Sequence, residues 1–515
     1  MNPLTCLLAL TFAASVGGGD AGRAQPLETV IQDDALLLHR DPAAVRATAR
    51  RMKTLGVDRV RITAGWSALA PSPTRKSKPR FDATNSLEYP ERPWQQLDTA
   101  VKEVRAAGMD VMIDVAFFAP RWAVRRGMRG ERQRWRPKWQ EFGQFALAVS
   151  RRYSGGWPDP ADPQQKLPVV RLWTTWNEPN HPVFLMPQWK RGPKGTRLPA
   201  SPHIYRNLHN AAYRSIKAVD RRNRVLIGGL AADGSRGKGI APLKFVRELA
   251  CVDANLAPLK RRACHDFKPL EADGFAHHPY TLGTTPAASS PNSDDVKLGD
   301  LDRLTKLLRQ LRSDGRIARS LPLYITEYGY ETNPPDPVRG VSPRTQARYI
   351  GLSTFIAWRN PELRSFAQFL LNDIEPPPGT KGGDYQTGLY YPDGSAKPAV
   401  QAFKLPIWAV VRPVFRSSRT KRVFIFGQVR PGRGKRRRVA IELLDKEGDW
   451  RELYTLPSNS SFTPRCVRGA TAFHVEDAGF FLRSAPYLGR RTTYRFRWFR
   501  SKGKSEASPP ITVGG

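Results

Sequence analysis

The chain is poor in cysteine, poor in acidic residues and without long apolar stretches. Its 515 residues hold four cysteines, Cys6, Cys251, Cys264 and Cys466. None lies in a CxxC pair and no His-rich spacing accompanies them, so no metal site is expected. Beyond a short apolar run at the start, nothing approaches the ~20 apolar residues of a membrane-spanning helix, so no transmembrane segment is expected. Asp and Glu number 46 against 83 Lys and Arg, a formal charge of +37. Such a surplus invites a nucleic-acid reading. The basic residues are, however, spread over the whole chain without a recognised nucleic-acid module, and no nucleic-acid partner is expected. Two readings of the charge remain, a solvated basic surface or affinity for an anionic polysaccharide or cell envelope. The densest run, Arg430 to Arg438, reads as a hairpin loop between two strands.

With 40% hydrophobic and 10% aromatic residues, the chain can bury a sizeable core, and its length fits two domains. The apolar run Leu4 to Val16, followed by Ala21-Gly22-Arg23-Ala24, has the order of a secretory signal with its cleavage site, although no Lys or Arg precedes it. Residues 1–25 are therefore expected to be a signal peptide and the protein to be secreted. Cys6 would leave with that segment. Cys251 and Cys264, close in sequence, become the expected disulfide, and Cys466 is left over.

From residue 27 to 404, short β-rich apolar runs alternate with helical patterns, the signature of βαβ units and a parallel sheet. Strands are predicted at Asp58–Trp66, Asp110–Phe117, Val169–Trp176, Arg224–Leu230, Asp273–Tyr280, Pro322–Tyr328 and Arg364–Asn372, with a weaker first strand near Ala35–Leu38. Helix starts are marked by Asp41-Pro42, Arg92-Pro93, Ser201-Pro202 and Ser342-Pro343, and two helix ends by Gly56 and Gly108. Eight strand–helix units fit a closed (β/α)₈ TIM barrel better than a doubly wound sheet. From residue 405 to 515 the pattern changes to alternating strands separated by Gly, Pro and charged turns, which predicts a small antiparallel β-sandwich of immunoglobulin-like size.

Two glutamates stand out. The fourth predicted strand ends in Trp176-Asn177-Glu178-Pro179-Asn180 and the seventh in Ile325-Thr326-Glu327-Tyr328-Gly329. Both carboxylates emerge at the carboxyl ends of barrel strands, where such barrels build active sites. Period two puts Leu323, Ile325 and Glu327 on one face, so aliphatics filling the barrel would aim Glu327 into its mouth. Hydrolysis of a glycosidic bond with retention needs two carboxyls about 5 to 5.5 Å apart, one to attack and one to protonate the leaving group.

These two runs resemble the clan A glycoside hydrolases, within which residues 30 to 404 are most similar to the cellulase-like family 5 and to family 39. The resemblance implies Glu178 as acid/base, Glu327 as nucleophile and Asn177 as partner of the sugar 2-hydroxyl. It also implies that Arg61 holds the nucleophile ionised, and that His278 and Tyr280, from His277-His278-Pro279-Tyr280, contact substrate or the catalytic pair. Trp66 and Trp122 are candidate platforms for sugar rings, with Trp176 and Trp189 behind them. Two stretches depart from the family pattern: strand three ends in Val115-Ala116-Phe117-Phe118 where a His is common, and strand eight ends in Phe369-Leu370-Leu371-Asn372-Asp373 where a Trp is common. The segment Thr387 to Pro398 resembles the passage from strand eight to the last helix.

The function expected is a retaining glycoside hydrolase acting on a poly- or oligosaccharide, with no cofactor. A catalytically silent carbohydrate-binding protein and a transglycosylase with the same residues stay open. The loops Pro182–Ala200, Leu282–Gly299 and Ile374–Lys397 are expected to shape specificity.

Overall fold

The computed structural model describes residues 27–125, 133–376, 385–413, 419–459, 461–464, 468–500 and 503–514. The signal-peptide expectation, Cys6, Cys466 and part of the strand-eight loop lie outside them.

Eight parallel strands close a barrel: β1 (Glu28–Gln32), β2 (Arg59–Gly65), β3 (Asp110–Ala116), β4 (Leu172–Thr175), β5 (Arg224–Ala231), β6 (Gly274–His278), β7 (Leu323–Ile325) and β8 (Leu363–Phe369). Neighbouring strands pair in parallel, with register shifts at Phe275/His277 and Leu323/Tyr324, and β8 returns to β1 through Glu28 opposite Ser365. β3 and β4 are buried on both faces apart from Asp110, which is why they read as apolar runs without alternation. The intervening helices include α1 (Asp34–Leu38), α2 (Pro42–Thr54), α3 (Glu91–Ala106), α4 (Trp139–Arg152), α5 (Ser201–Val219), α6 (Pro242–Leu249), α7 (Leu301–Ser313), α8 (Pro343–Arg359) and α9 (Ala399–Lys404).

Punctuation accounts for several boundaries. The Asp41 side chain accepts the Ala44 N–H and Pro42 opens α2, while Gly56 follows its end with φ +86°. α3 starts at Glu91 and not at the Arg92-Pro93 pair, with Gly108 beyond its end at φ +75°. The first strand is a correction. Residues 35–38 belong to helix α1, because the Asp33 carboxylate accepts the Leu36 N–H and caps it. The β-branched run Thr29-Val30-Ile31 just before it forms β1 instead.

Inside the barrel, Met112, Leu172, Leu226, Ala276 and Tyr324 form one buried layer, one residue from each of five consecutive strands. Tyr324 therefore lies on the interior face of β7, and alternation puts Leu323 and Ile325 outside. This reverses the predicted parity. Glu327 still reaches the barrel mouth because β7 ends at Ile325 and the chain leaves the pleat before it.

Residue contacts divide the chain into two units, Glu28–Tyr349 with Glu362–Val400 and Ile350–Pro361 with Gln401–Gly515. The second therefore takes a stretch of α8 as well as the C-terminal residues, in place of the single boundary expected at 404. The cause is apolar: Leu352 and Phe355 cluster with Phe424, Phe426 and Leu482.

The second unit holds two antiparallel sheets. One contains β9 (Ile407–Pro413), β10 (Lys421–Gln428), β13 (Leu456–Pro457) and β15 (Phe480–Pro486). The other contains β11 (Arg437–Leu444), β12 (Trp450–Glu452), β14 (Ala472–Val475), β16 (Thr492–Phe499), β17 (Ser505–Ala507) and β18 (Ile511–Val513). Val423, Ile425 and Phe481 of the first sheet share a buried core with Val439, Ile441, Tyr494 and Phe496 of the second, as a sandwich requires. The basic run 430–438 is not a hairpin loop. β10 pairs with β9 and β15, whereas β11 pairs with β12, β14 and β16, so the run crosses from one sheet to the other. Two of its arginines are buried: Arg430 donates to the Phe403 carbonyl and Arg437 to the Val429 carbonyl, both at 2.8 Å.

Candidate active site

The carboxyl ends of the barrel strands enclose a cleft of about 740 Å³ lined by both predicted glutamates. One side chain organises its floor. Arg61, on β2, is 1% exposed and donates to Glu327 Oε1 at 2.5 Å, Asp114 Oδ2 at 2.7 Å and Asn177 Oδ1 at 3.0 Å. It also donates to the Gln32 side chain. Burial works against a charged guanidinium, but Asp114 and Glu327 beside it outweigh that and keep Arg61 protonated. Asp114 in turn accepts the Thr174 hydroxyl at 2.6 Å. Four strand ends, β1 to β4, are thus tied to one cation, and β7 joins them through Glu327.

Glu178 is placed by the turn that leaves β4. Trp176 and Glu178 have φ +68° and +37°, left-handed values that cost energy for residues with a Cβ. Neighbours hold them there. The Trp176 N–H donates to Val115 O at 2.7 Å and the Glu178 N–H to Gly229 O at 2.9 Å. Asn180 accepts the Ala231 N–H at 2.8 Å and donates to the Ala231 and Ile240 carbonyls at 3.1 Å. Gly228 and Gly229 of β5 make this approach feasible: a Cβ on Gly228 would strike the Thr175 and Trp176 carbonyls, and one on Gly229 the His278 imidazole.

His278 sits between the two carboxylates. Its Nδ1 lies 3.0 Å from Glu178 Oε1 and 3.5 Å from Glu327 Oε2, while Nε2 lies 2.9 Å from the Thr326 hydroxyl. Tyr280 donates its hydroxyl to Glu327 Oε2 at 3.3 Å. Burial, with the charges of Glu327 and Glu178 beside it, holds the Tyr280 phenol well above its ordinary range, so it serves as a donor. The preceding His277 is not part of the site. It is fully buried, bonded through Nε2 to Val296 O at 2.8 Å, and burial lowers it to about 4.

A carboxylate oxygen of Glu178, one of Glu327 and a ring nitrogen of His278 lie within 4.8 Å of one another, a spacing that has the chemistry of a metal site as well as of a catalytic pair. His203 lies as close to Cys251 and Cys264, but those two sulfurs are joined in the expected disulfide, with a Cα separation of 5.7 Å.

The fold's resemblances are to glycosidases. The chain is similar in structure to a GH5_18 enzyme from Streptomyces cattleya in complex with GlcNAc, at 16% identity, with 74% of this chain and 79% of that one covered and a TM-score of 0.46. It is also similar to a GH30 endoxylanase from Clostridium papyrosolvens C71, at 10% identity, 90% and 96% coverage and a TM-score of 0.46. A calcium-binding mutant of Bacteroides uniformis beta-glucuronidase 2 is similar at 11% identity and a TM-score of 0.42, over 95% of this chain. The chain spans 45% of the length of that enzyme. No family model and no curated protein sequence matches the chain. At such identities and scores these likenesses decide neither residues nor substrate.

Of the predicted site residues, the structure brings together Glu178, Glu327, Asn177, Arg61, His278 and Tyr280. It does not bring Trp66 and Trp122 to the cleft. Trp66 is fully buried against Trp122, Phe142 and Phe145, and Trp122 donates to the Pro71 carbonyl at 3.1 Å. Both are packing residues: Trp66 opens the short helix Trp66–Leu69 and Trp122 lies in the turn Arg121–Ala123, and their rings pack against each other. Trp176 is likewise buried, and Trp189 packs under Arg197 and Lys244. Among the described residues no tryptophan lines the cleft; the aromatic residues there are Phe117, Phe118, Phe184, Tyr280, Tyr330, Phe369 and Tyr385.

Sequence reasoning missed Gln32, Asp34, Asp114 and Phe184, all of which line the cleft. Asp114 had a signal, as the only charged residue inside the apolar run Val111 to Phe118. The others lie in positions where a surface reading was equally good.

Proposed function

We propose that the protein is a retaining glycoside hydrolase, with Glu327 as nucleophile and Glu178 as acid/base. The observation that carries this reading is the convergence of two carboxylates to within 4.8 Å at the mouth of a closed parallel barrel, where only one of them is paired with a buried arginine. Oxygens that approach so closely suit the near carboxyl pair of a retaining enzyme, about 5 to 5.5 Å apart, and leave little of the room that an inverting enzyme keeps for water at ~6.5 Å or more.

The asymmetry supports this allocation of roles. Glu327 faces Arg61 and Tyr280, donors that suit a charged nucleophile. Glu178 faces His278 and no guanidinium, as suits a group that must gain and lose a proton. In the first step Glu327 attacks the anomeric carbon, the bond to the leaving oxygen breaks, and Glu178 gives that oxygen its proton. In the second, water loses a proton to Glu178 and attacks the same carbon, releasing Glu327. Asn177, held by Arg61, is positioned for a sugar hydroxyl beside the pair. Both steps use carboxyl groups and water, so the reading needs no cofactor.

Among the described residues, five carboxyl groups and two arginines line the cleft, Asp34, Asp114, Glu178, Glu327 and Glu331 against Arg61 and Arg339. The described lining is thus not basic, which favours a neutral sugar at the reacting centre. An acidic glycan or envelope surface, if it is a partner, would bind elsewhere. The Cys251–Cys264 disulfide supports the proposal that the protein is exported.

Hydrolysis of a panel of aryl β-glycosides and oligosaccharides by wild type, Glu178→Ala and Glu327→Ala tests the reading. The expected result is cleavage by wild type with retained anomeric configuration, loss in Glu327→Ala and no effect of EDTA. Loss on chelation that a divalent ion restores would move the site to metal chemistry. Binding without cleavage would favour the silent carbohydrate-binding protein, and sugar transfer outpacing hydrolysis the transglycosylase.

A further inference from the structure

The cleft is two-faced. Polar groups come from β1, the start of α1, β2 and the turn after β4: Gln32, Asp34, Thr63 and Asn177. They are interlinked, since Asp34 accepts from Gln32 Nε2 at 2.9 Å and from the Thr63 N–H at 3.1 Å. Apolar groups come from the neighbouring strand ends, Phe117 and Phe118, which follow β3, and Val183 and Phe184, which follow β4. The three rings touch, Phe117 with Phe184 at 4.8 Å, Phe117 with Phe118 at 5.2 Å, and Phe118 stacked on Phe184 at 6.3 Å.

This apolar wall is fastened to the acid/base. The His181 N–H donates to the Glu178 carbonyl at 2.8 Å, the Phe184 N–H to the His181 carbonyl at 3.1 Å, and Trp176 Nε1 to the Phe184 carbonyl at 3.2 Å. The rim continues the same chemistry. Of the eight large apolar side chains that stand exposed among the described residues, four line this cleft: Val183 at 43%, Leu282 at 46%, Ile374 at 40% and Tyr385 at 44%. Apolar groups so concentrated around one opening mark a binding surface for an apolar ligand. Among the described residues no tryptophan offers a sugar ring a platform here, and His181, its ring 6.0 Å from that of Phe184, is the polar side chain on this wall.

We infer that the leaving group of the substrate is apolar, an alkyl or aryl alcohol and not a second sugar. The inference rests on the proposed hydrolase reading, because the acid/base delivers its proton to the leaving oxygen and so places the aglycone on the side of Glu178. The sugar then lies against Gln32, Asp34 and Asn177, and the aglycone lies along Phe117, Phe118, Val183 and Phe184. The substrate class is an amphipathic glycoside, either a free small molecule or a glycolipid at a membrane surface.

The test measures binding and hydrolysis of methyl, butyl, hexyl and octyl β-glycosides of glucose, mannose, xylose and N-acetylglucosamine, with the corresponding disaccharides. Chains are kept below their micelle concentration. Binding is followed by calorimetry on the Glu327→Ala protein, and hydrolysis on the wild type. Affinity and kcat/KM are expected to rise roughly two- to fourfold per added methylene for the sugar that is recognised. Phe184→Ser should flatten that slope, and Val183→Ser, at an exposed position that puts folding at little risk, should weaken it. If hydrolysis occurs but the slope is flat, or a disaccharide is preferred, the inference is overturned and the hydrolase reading stands. If the binding slope is present and nothing is cleaved, the apolar subsite stands and the hydrolase reading fails; with neither, both fail. The same octyl glycosides dispersed in phosphatidylcholine vesicles separate the sources: faster turnover of the free form marks a small-molecule aglycone, faster turnover in vesicles a glycolipid.

Discussion

Replacing Arg61 with Met removes a cation that two carboxylates share inside the barrel. Asp114 would keep only the Thr174 hydroxyl, and Glu327 only Tyr280 and His278. Breaking one buried ion pair from one side costs about 3–5 kcal/mol, because the charge left behind has neither partner nor water. Asp114 is fully buried, and burial already pushes its carboxyl above the ordinary range, so it would take up a proton once Arg61 is gone. A loss of about 4 kcal/mol in the barrel's urea transition is expected. kcat/KM should fall at least ~100-fold, about 2.7 kcal/mol in the transition state, since Asn177 and Glu327 lose their common anchor. The double variant Arg61→Met with Asp114→Asn separates structure from chemistry, because the amide needs no counter-charge. It should recover about half of the lost stability and none of the activity. A single variant within about 1 kcal/mol of wild type, or a double variant that regains activity, would refute the reasoning.

Three more outcomes follow from the same geometry. Gly229→Ala puts a methyl on the His278 ring and should cost about 1–3 kcal/mol of stability, with activity down at least tenfold; a fully active variant would show that His278 does not order the pair. His209 and His277 are buried and held near pKa 4 instead of 6.5 by desolvation. The unfolded chain then binds more protons than the folded one between those values, so stability is full above pH 6.5 and falls as pH drops towards 4, by up to about 3 kcal/mol per histidine. Denaturant midpoints across that window should fall less steeply for His209→Gln, and a flat wild-type profile would contradict the burial argument. Replacing Cys251 and Cys264 together by Ser opens a loop of sequence separation 13 and should cost about 3 kcal/mol; an unchanged thermal midpoint would show that the loop is ordered without the bond.

Much of the fold was legible because strand and helix signals agree along the barrel. Runs such as Val111 to Phe118 are buried on both sides, and Pro and Gly stand at helix ends where their backbone preferences belong. The first strand was misplaced because Ala35 to Leu38 is apolar enough for either state, and only the Asp33 cap decides for helix. The catalytic candidates were legible for a different reason, since a carboxylate at the end of an apolar strand needs a purpose to be there. The face of β7 was read wrongly, as period two does not hold where a three-residue strand ends. The tryptophans misled because a large ring near a strand end has the same sequence signal whether it packs below the loops, as Trp66 does, or faces a ligand. Asp114 and Phe184 owe their importance to partners far away in sequence, Arg61 and the Phe117–Phe118 pair. No local pattern carries that information.

The central claim is that Glu327 attacks the anomeric carbon. Incubating the protein with 2-deoxy-2-fluoro glycosides bearing an activated aryl leaving group, followed by proteolysis and mass spectrometry, tests it most directly. The account predicts one added fluoroglycosyl mass on the peptide containing Glu327, and none on that peptide in Glu327→Gln. A label on Glu178 would contradict it, as would hydrolysis of the corresponding unfluorinated glycoside by Glu327→Gln at the wild-type rate.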